Sequence, residues 1–180
     1  MSTDETRLIQ RAKEGDPAAF AELYDQYQPA IYRYIFYRVD DTATAEDLTA
    51  DVFMRLVERI DRFTYRGRPL LAWLYTIARN LVMDHHRRAG RSVPLSLDTP
   101  QIADMPDPEE TVEDALAQQR LAAALSCITQ DQREVIILKF IEGLDNETVA
   151  RTMCKSVGAV KALQHRALAA LRRVMKPNEG

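Results

Sequence analysis

DNETVARTMCKSVGAVKALQHRALAALRR, residues 145–173, decides how this chain is read. It divides into two helices around a turn at Met153-Cys154-Lys155-Ser156. Asp145 follows Gly143-Leu144 and suits an N-cap, because its carboxylate can accept the unpaired backbone N–H groups of a helix start. Val149, Ala150 and Met153 then recur at helical spacing. Ser156 caps the next helix, whose inner stripe is expected to be Val160, Leu163, Ala167, Leu171 and Val174. The opposite side carries Lys161, Ala162, His165, Arg166, Arg172 and Arg173. No acidic residue occurs from Lys155 to Lys176. A capped helix, a tight turn and a second helix with small and basic outward residues suit the major groove of a duplex. A helical hairpin with a merely solvated basic face has the same pattern, so the rest of the chain must decide.

Its 180 residues allow one domain or two small ones. With 46% hydrophobic and 28% charged residues and few glycines, the chain can bury helical cores. The net charge of −3 does not suggest a nucleic-acid binder, but its distribution does. Acid concentrates between residues 93 and 114, where Pro94, Pro100, Pro106 and Pro108 accompany seven carboxylates and no lysine or arginine. That composition predicts a linker between two helical parts. The expectation is an all-α chain: a helical bundle over 1–92, an acidic, proline-rich linker over 93–114, and a four-helix domain over 115–180 ending in the helix-turn-helix. Cys127 and Cys154 lack metal-ligand spacing, and buried inert thiols are favoured over a regulatory disulfide. No signal peptide and no apolar run of spanning length is apparent, which predicts a cytoplasmic protein.

In the first part, Asp16-Pro17 reads as a cap followed by proline at the first helical position. Phe20, Leu23, Tyr24 and Tyr27 form a stripe that Ile31, Tyr34, Ile35 and Arg38 continue past Pro29. The many aromatics read mainly as core. A third helix is expected from about Thr44 to Asp61, with Leu48, Val52, Phe53, Leu56, Val57 and Ile60 inward and Glu46 and Asp47 at its positive end. Then RFTYRGRP, residues 62–69, breaks the pattern with three arginines and two aromatics. Such a loop can stack unpaired bases on ring faces while arginines hold phosphates, or it is simply a solvated loop. The amphipathic helix after it ends in His85-His86-Arg87-Arg88, a plausible phosphate clamp. In the second part, helices over Ala115–Ile128 and Asp131–Glu142 precede the helix-turn-helix, with Thr129 and Asp131 as candidate caps. The apolar surplus of Val135, Ile136, Leu138 and Phe140 suggests a partner as well as a core.

Asp84-His85-His86 superficially matches a metal phosphoesterase motif, but it continues a helix in which neighbouring side chains diverge by about 100°. No phosphate loop, GxSxG, HExxH or CxxC is present, so neither an enzyme nor a metal or cofactor is expected.

Four stretches in this order resemble the extracytoplasmic-function (ECF) group of bacterial RNA polymerase sigma factors: GDPAAFAELYDQY, AEDLTADVFMRL, RGRPLLAWLYTIARNLVMDHHRR, and DQREVIILKFIEGLDNETVA with SVGAVKALQHRALAALRR. The resemblance covers nearly the whole chain. It implies a region 2 domain, a linker and a four-helix region 4, with core RNA polymerase, promoter DNA and an anti-sigma factor as partners. The AEDL helix would dock on the clamp coiled coil of the largest polymerase subunit through Glu46, Asp47, Asp51 and Arg55, and region 4 would meet the flap of the second subunit. Ala50 and Asp51 depart from the glutamine and glutamate common there. Arg62, Phe63, Tyr65, Arg66 and Arg68 would capture a base flipped from the melted −10 strand, an extrusion that costs a few kcal/mol. Arg79, Asn80, His86, Arg87 and Arg88 would lie near the upstream point of strand separation. The acidic linker would thread the polymerase cleft and RNA exit channel in imitation of RNA. Ser156, Lys161, Ala162, His165, Arg166 and Arg172 would read the −35 duplex.

Three departures stand in the helix-turn-helix. Ala162 replaces a frequent serine and could touch a thymine methyl. Gln164 falls on the inner side, where an aliphatic residue is common, and needs a hydrogen-bond partner if buried. Cys154 replaces a frequent glycine, so a turn differing from the usual left-handed one is expected. The rival readings are a regulator using only its helix-turn-helix, without replacing the polymerase's own sigma subunit, and a protein–protein adaptor. The first of these leaves the RFTYRGRP loop and the AEDL helix unexplained.

Overall fold

The computed structural model describes residues 2–91 and 111–176, and every regular element among them is helical. Two compact units divide the chain. One holds residues up to Ile35 and from Ala45 onward through the first half; the other joins Phe36–Thr44 to the C-terminal helices. Most of the expected linker lies outside the described residues.

In the first unit, α1 (Thr3–Lys13) starts where the Ser2 hydroxyl accepts the Glu5 N–H, and it buries Leu8, Ile9 and Ala12. Helix α2 (Pro17–Phe36) begins as its Asp-Pro signal predicts, with Asp16 accepting the Ala18 N–H at 3.0 Å. It runs through Pro29. Helix α3 (Thr42–Arg59) starts earlier than expected because Asp41 accepts the Thr44 N–H at 2.8 Å, a cap one turn upstream. Its last turn tightens to a 3-10 turn, Ile60–Arg62, before α4 (Leu70–Arg91).

Leu23, Ile31, Tyr34, Leu56, Leu70, Leu74 and Tyr75 make the fully buried centre. Tyr34 meets Tyr75 edge-on at 5.5 Å. Of the aromatics on α2, Tyr27, Tyr32, Tyr34 and Phe36 are buried, as is Tyr37 just beyond it, whereas Tyr24 stays half-exposed with its edge against Phe53. Burial, and then the hydrogen bond it donates to Glu5, hold the Tyr27 hydroxyl well above the usual tyrosine range.

In the second unit, α5 spans Val112–Ser126. It starts inside the stretch read as linker because Thr111 and Asp114 form a reciprocal capping box. Thr129 and Gln132 form another at the start of α6 (Gln130–Ile136), so Thr129, and not Asp131, is the cap. Helix α6 widens into a π-helical turn over Ile137–Ile141, where the Glu142 N–H reaches the Ile137 carbonyl at 2.9 Å. Val135, Ile136, Ile137 and Leu138 are buried and Phe140 is exposed. Then follow α7 (Asn146–Met153) and α8 (Val157–Met175).

Arg38 and Glu134, both almost fully buried, pair at 3.3 Å. Beside them Arg133, also buried, reaches the exposed Asp40 at 3.4 Å. Burial pulls the Arg133 guanidinium below its usual range, and the Asp40 charge opposes that shift. Desolvating two charges costs several kcal/mol each, so such a pair is a weak source of net stability but a severe liability when broken. Glu134→Ala should therefore lower unfolding stability by about 3–5 kcal/mol by leaving Arg38 buried without this carboxylate. The joint change Arg38→Met with Glu134→Leu should cost far less. Urea unfolding followed by helical circular dichroism reads the difference.

Candidate nucleic-acid interface

Asp145 caps α7, accepting the Thr148 N–H at 2.8 Å and the Thr148 hydroxyl at 3.1 Å. The backbone N–H of Thr148 is the leading reason its carboxyl lies below the usual range. Helix α7 ends in a Schellman turn, with Lys155 N–H on the Ala150 carbonyl at 2.9 Å and Cys154 N–H on that of Arg151 at 3.3 Å. Cys154 sits at φ 55°, ψ 43°, so the turn is left-handed after all, contrary to the sequence expectation. Those two backbone bonds hold cysteine in a conformation that costs an L-residue about 1–2 kcal/mol. Cys154 and Cys127 are both free and exposed, where buried thiols were expected, because one lies in the turn and the other at the C-cap of α5.

Ser156 caps α8 by accepting the Ala159 N–H at 3.1 Å. Helix α8 packs against α5, α6 and α7 through Val160, Leu163, Ala167 and Ala170. Leu171 is half-buried and Val174 exposed, so the seam ends a turn earlier than the expected stripe. Ser156, Lys161, Ala162, His165, Arg166 and Arg172 are all exposed. Lys155, in the turn, pairs with Asp131 of α6 at 3.1 Å, a solvated bridge of little energetic weight. The result is an exposed surface of small and cationic side chains along a firmly capped helix.

In the first unit, residues 62–69 leave the 3-10 turn and return to α4 through Gly67, whose φ of 73° favours glycine. The Lys13 ammonium donates to the Phe63 carbonyl at 2.5 Å and ties the loop to α1. Phe63 is only 6% exposed and packs on Trp73 at 5.4 Å. Its ring is therefore core, and the expectation that it offers a face to a base is corrected. Tyr65 is 50% exposed, with Arg62 and Arg66 exposed beside it. Arg68 is half-buried and donates to the Thr76 hydroxyl at 2.9 Å, which makes it a strut of the loop.

On α4, Arg79, Asn80, His86 and Arg87 share one side, whereas Arg88 lies about 100° further round. Arg87 pairs with Asp84. Asp84, His85 and His86 are consecutive residues of the helix, as the sequence reading required.

Glu46, Asp47 and Asp51 are exposed on α3, and Arg55 is half-buried at the edge of the same side. The sequence reading missed the apolar part of this side. Met54 is 60% and Val57 53% exposed, although Val57 had been expected inside. Their spacing from Ala50 and Asp51 was the available signal.

The Sigma-70 region 2 family matches residues 23–92, and the Sigma-70 region 4 family matches residues 118–171. The ECF RNA polymerase sigma factor BldN of Streptomyces coelicolor is 43% identical over 172 residues, covering 93% of this chain and 64% of that protein. The ECF RNA polymerase sigma factor SigD of Mycobacterium tuberculosis is 33% identical over 171 residues, covering 92% of this chain and 81% of that one. Among solved structures, the sigma factor RpoE of Bartonella quintana, in complex with the anti-sigma factor NepR, matches with a TM-score of 0.74. It is 28% identical and covers 89% of this chain and 98% of that one. This chain belongs to the ECF group of the sigma-70 family of RNA polymerase sigma factors, a family that is not catalytic. Among the described residues no helix is long and apolar enough to cross a membrane.

The two aromatics of the loop should separate by substitution. Phe63→Ala should cost about 3–5 kcal/mol of stability, as removal of a buried aromatic does. Tyr65→Ala should shift stability by no more than about 0.5 kcal/mol. Thermal unfolding of the two variants checks the assignment.

Proposed function

We propose that the chain binds core RNA polymerase and directs it to promoters by two separate readings of DNA. Helix α8 enters the major groove of the −35 element, with Lys161, Ala162, His165 and Arg166 at base edges or neighbouring phosphates and Ser156 and Arg172 on the backbone. The loop around Tyr65, Arg66 and Arg62 holds an unpaired base of the melted −10 strand, Tyr65 supplying the ring face and Arg68 bracing the loop. Arg79, Asn80, His86 and Arg87 of α4 flank the point where the strands part. The outer side of α3 docks on the clamp coiled coil of the largest subunit, where Met54 and Val57 add apolar area to the charges of Glu46, Asp47 and Asp51. The second unit meets the flap of the other large subunit. Residues 93–114 link the two DNA-reading parts within the polymerase, and the role places the chain in the cytoplasm.

The observation that carries this reading is the exposed, acid-free side of α8 on a capped helix-turn-helix whose seam is fully buried. A solvated hairpin needs no such separation of charge, and a helix-turn-helix regulator has no use for the Tyr65 loop. The complex of RpoE with NepR supports an anti-sigma factor as a further partner here, since that relative is held by one.

Arg166→Ala and Lys161→Ala should each reduce −35-dependent transcription roughly 5- to 150-fold, the range of one base-edge contact. Core binding should be unchanged. Run-off transcription alongside co-sedimentation with core polymerase tests this, and a parallel loss of core binding would remove α8 from the DNA.

A further inference from the structure

Gln164 occupies a position on α8 between its buried seam and its DNA-facing side, one residue before His165 and three after Lys161. Its amide Nε2 donates to Oδ1 of Asn146, at the first turn of α7, at 2.8 Å. This answers the sequence's demand for a partner, but an aliphatic residue would fill the seam without needing one. The pair lies far from the turn that joins the two helices, so it closes the open end of the helix-turn-helix. Asn146 stands in a helix start that its neighbour Asp145 caps through both the backbone N–H and the hydroxyl of Thr148.

The seam itself resists rolling of α8 poorly. Val160 and Leu163, on the turn side of Gln164, are its large buried side chains; beyond Gln164 the buried positions are the small Ala167 and Ala170, with Leu171 only half-buried. A roll of about 20° would move a point at the helix's outer radius, roughly 5–6 Å, by about 2 Å. Alanine contacts tolerate that displacement, whereas a 2.8 Å hydrogen bond breaks. The same roll would carry Lys161, Ala162, His165 and Arg166 off the base edges they face.

We propose that the Gln164–Asn146 hydrogen bond sets the roll of α8 and thereby the promoter selectivity of this sigma factor, Gln164 and Asn146 acting as positioning residues. The inference rests on the duplex-reading role proposed for α8. It predicts that breaking the bond relaxes discrimination more than it lowers stability.

The test uses the full chain with core polymerase on a promoter that the wild type transcribes, and on versions carrying single −35 substitutions. Gln164→Leu should melt at or above the wild-type temperature, yet lose at least roughly fivefold in the ratio of cognate to substituted transcription, the low end of one base contact's discrimination. Asn146→Ala and the double variant should lose the same factor, because all three remove one bond. The exchange Asn146→Gln with Gln164→Asn, which keeps the combined reach, should restore the ratio. An unchanged ratio in Gln164→Leu, or losses that multiply in the double variant, would overturn the inference. A wild type giving no core-dependent start would instead sink the proposed function, so the two failures are distinguishable.

Discussion

Burial of the narrow seam of α8 is the constraint on which the functional surface depends. Val160, Leu163, Ala167 and Ala170 are the buried apolar residues of this helix, and their burial decides which side is left out. Caps at Asp145 and Ser156 hold both helix starts, and the left-handed Cys154 sets the turn between them. The cationic side chains need no attraction of their own to reach solvent. They are exposed because the seam is buried.

Charge is segregated along the chain in a way the net value hides. Helix α8 and its turn carry no acid, while the outer side of α3 carries Glu46, Asp47 and Asp51. Seven carboxylates fall between residues 93 and 114. A net charge of −3 opposes approach to a polyanion, so a free chain of this kind is expected to bind duplex weakly. In the proposed role, the two DNA-reading parts become effective when polymerase holds both on one promoter, through effective concentration and not through added contacts.

Much of this was legible because helical period and capping chemistry are local. The N-caps Asp16, Thr129, Asp145 and Ser156 and the first three seam residues of α8, Val160, Leu163 and Ala167, follow from spacing, whereas Ala170 closes the seam in place of the expected Leu171 and Val174. Asp41 and the Thr111–Asp114 box were overlooked, although the same local rule would have found both. Other features are tertiary. Phe63 reads in sequence as a loop aromatic, and only its packing on Trp73 makes it core; the exposure of Val57 likewise depends on what α3 packs upon. The left-handed Cys154 shows a turn overriding a residue preference through two backbone bonds. The Arg38–Glu134 pair joins residues far apart in sequence, and no periodicity announces it.

The most direct measurement is the chemical reactivity of unpaired thymines on promoter DNA incubated with core polymerase, with and without this chain, alongside run-off transcription. The account predicts reactive bases just upstream of new start sites only when both are present, and their loss with Tyr65→Ala while core binding persists. Duplex that stays closed with the chain bound to core, or a chain that never binds core, would contradict it.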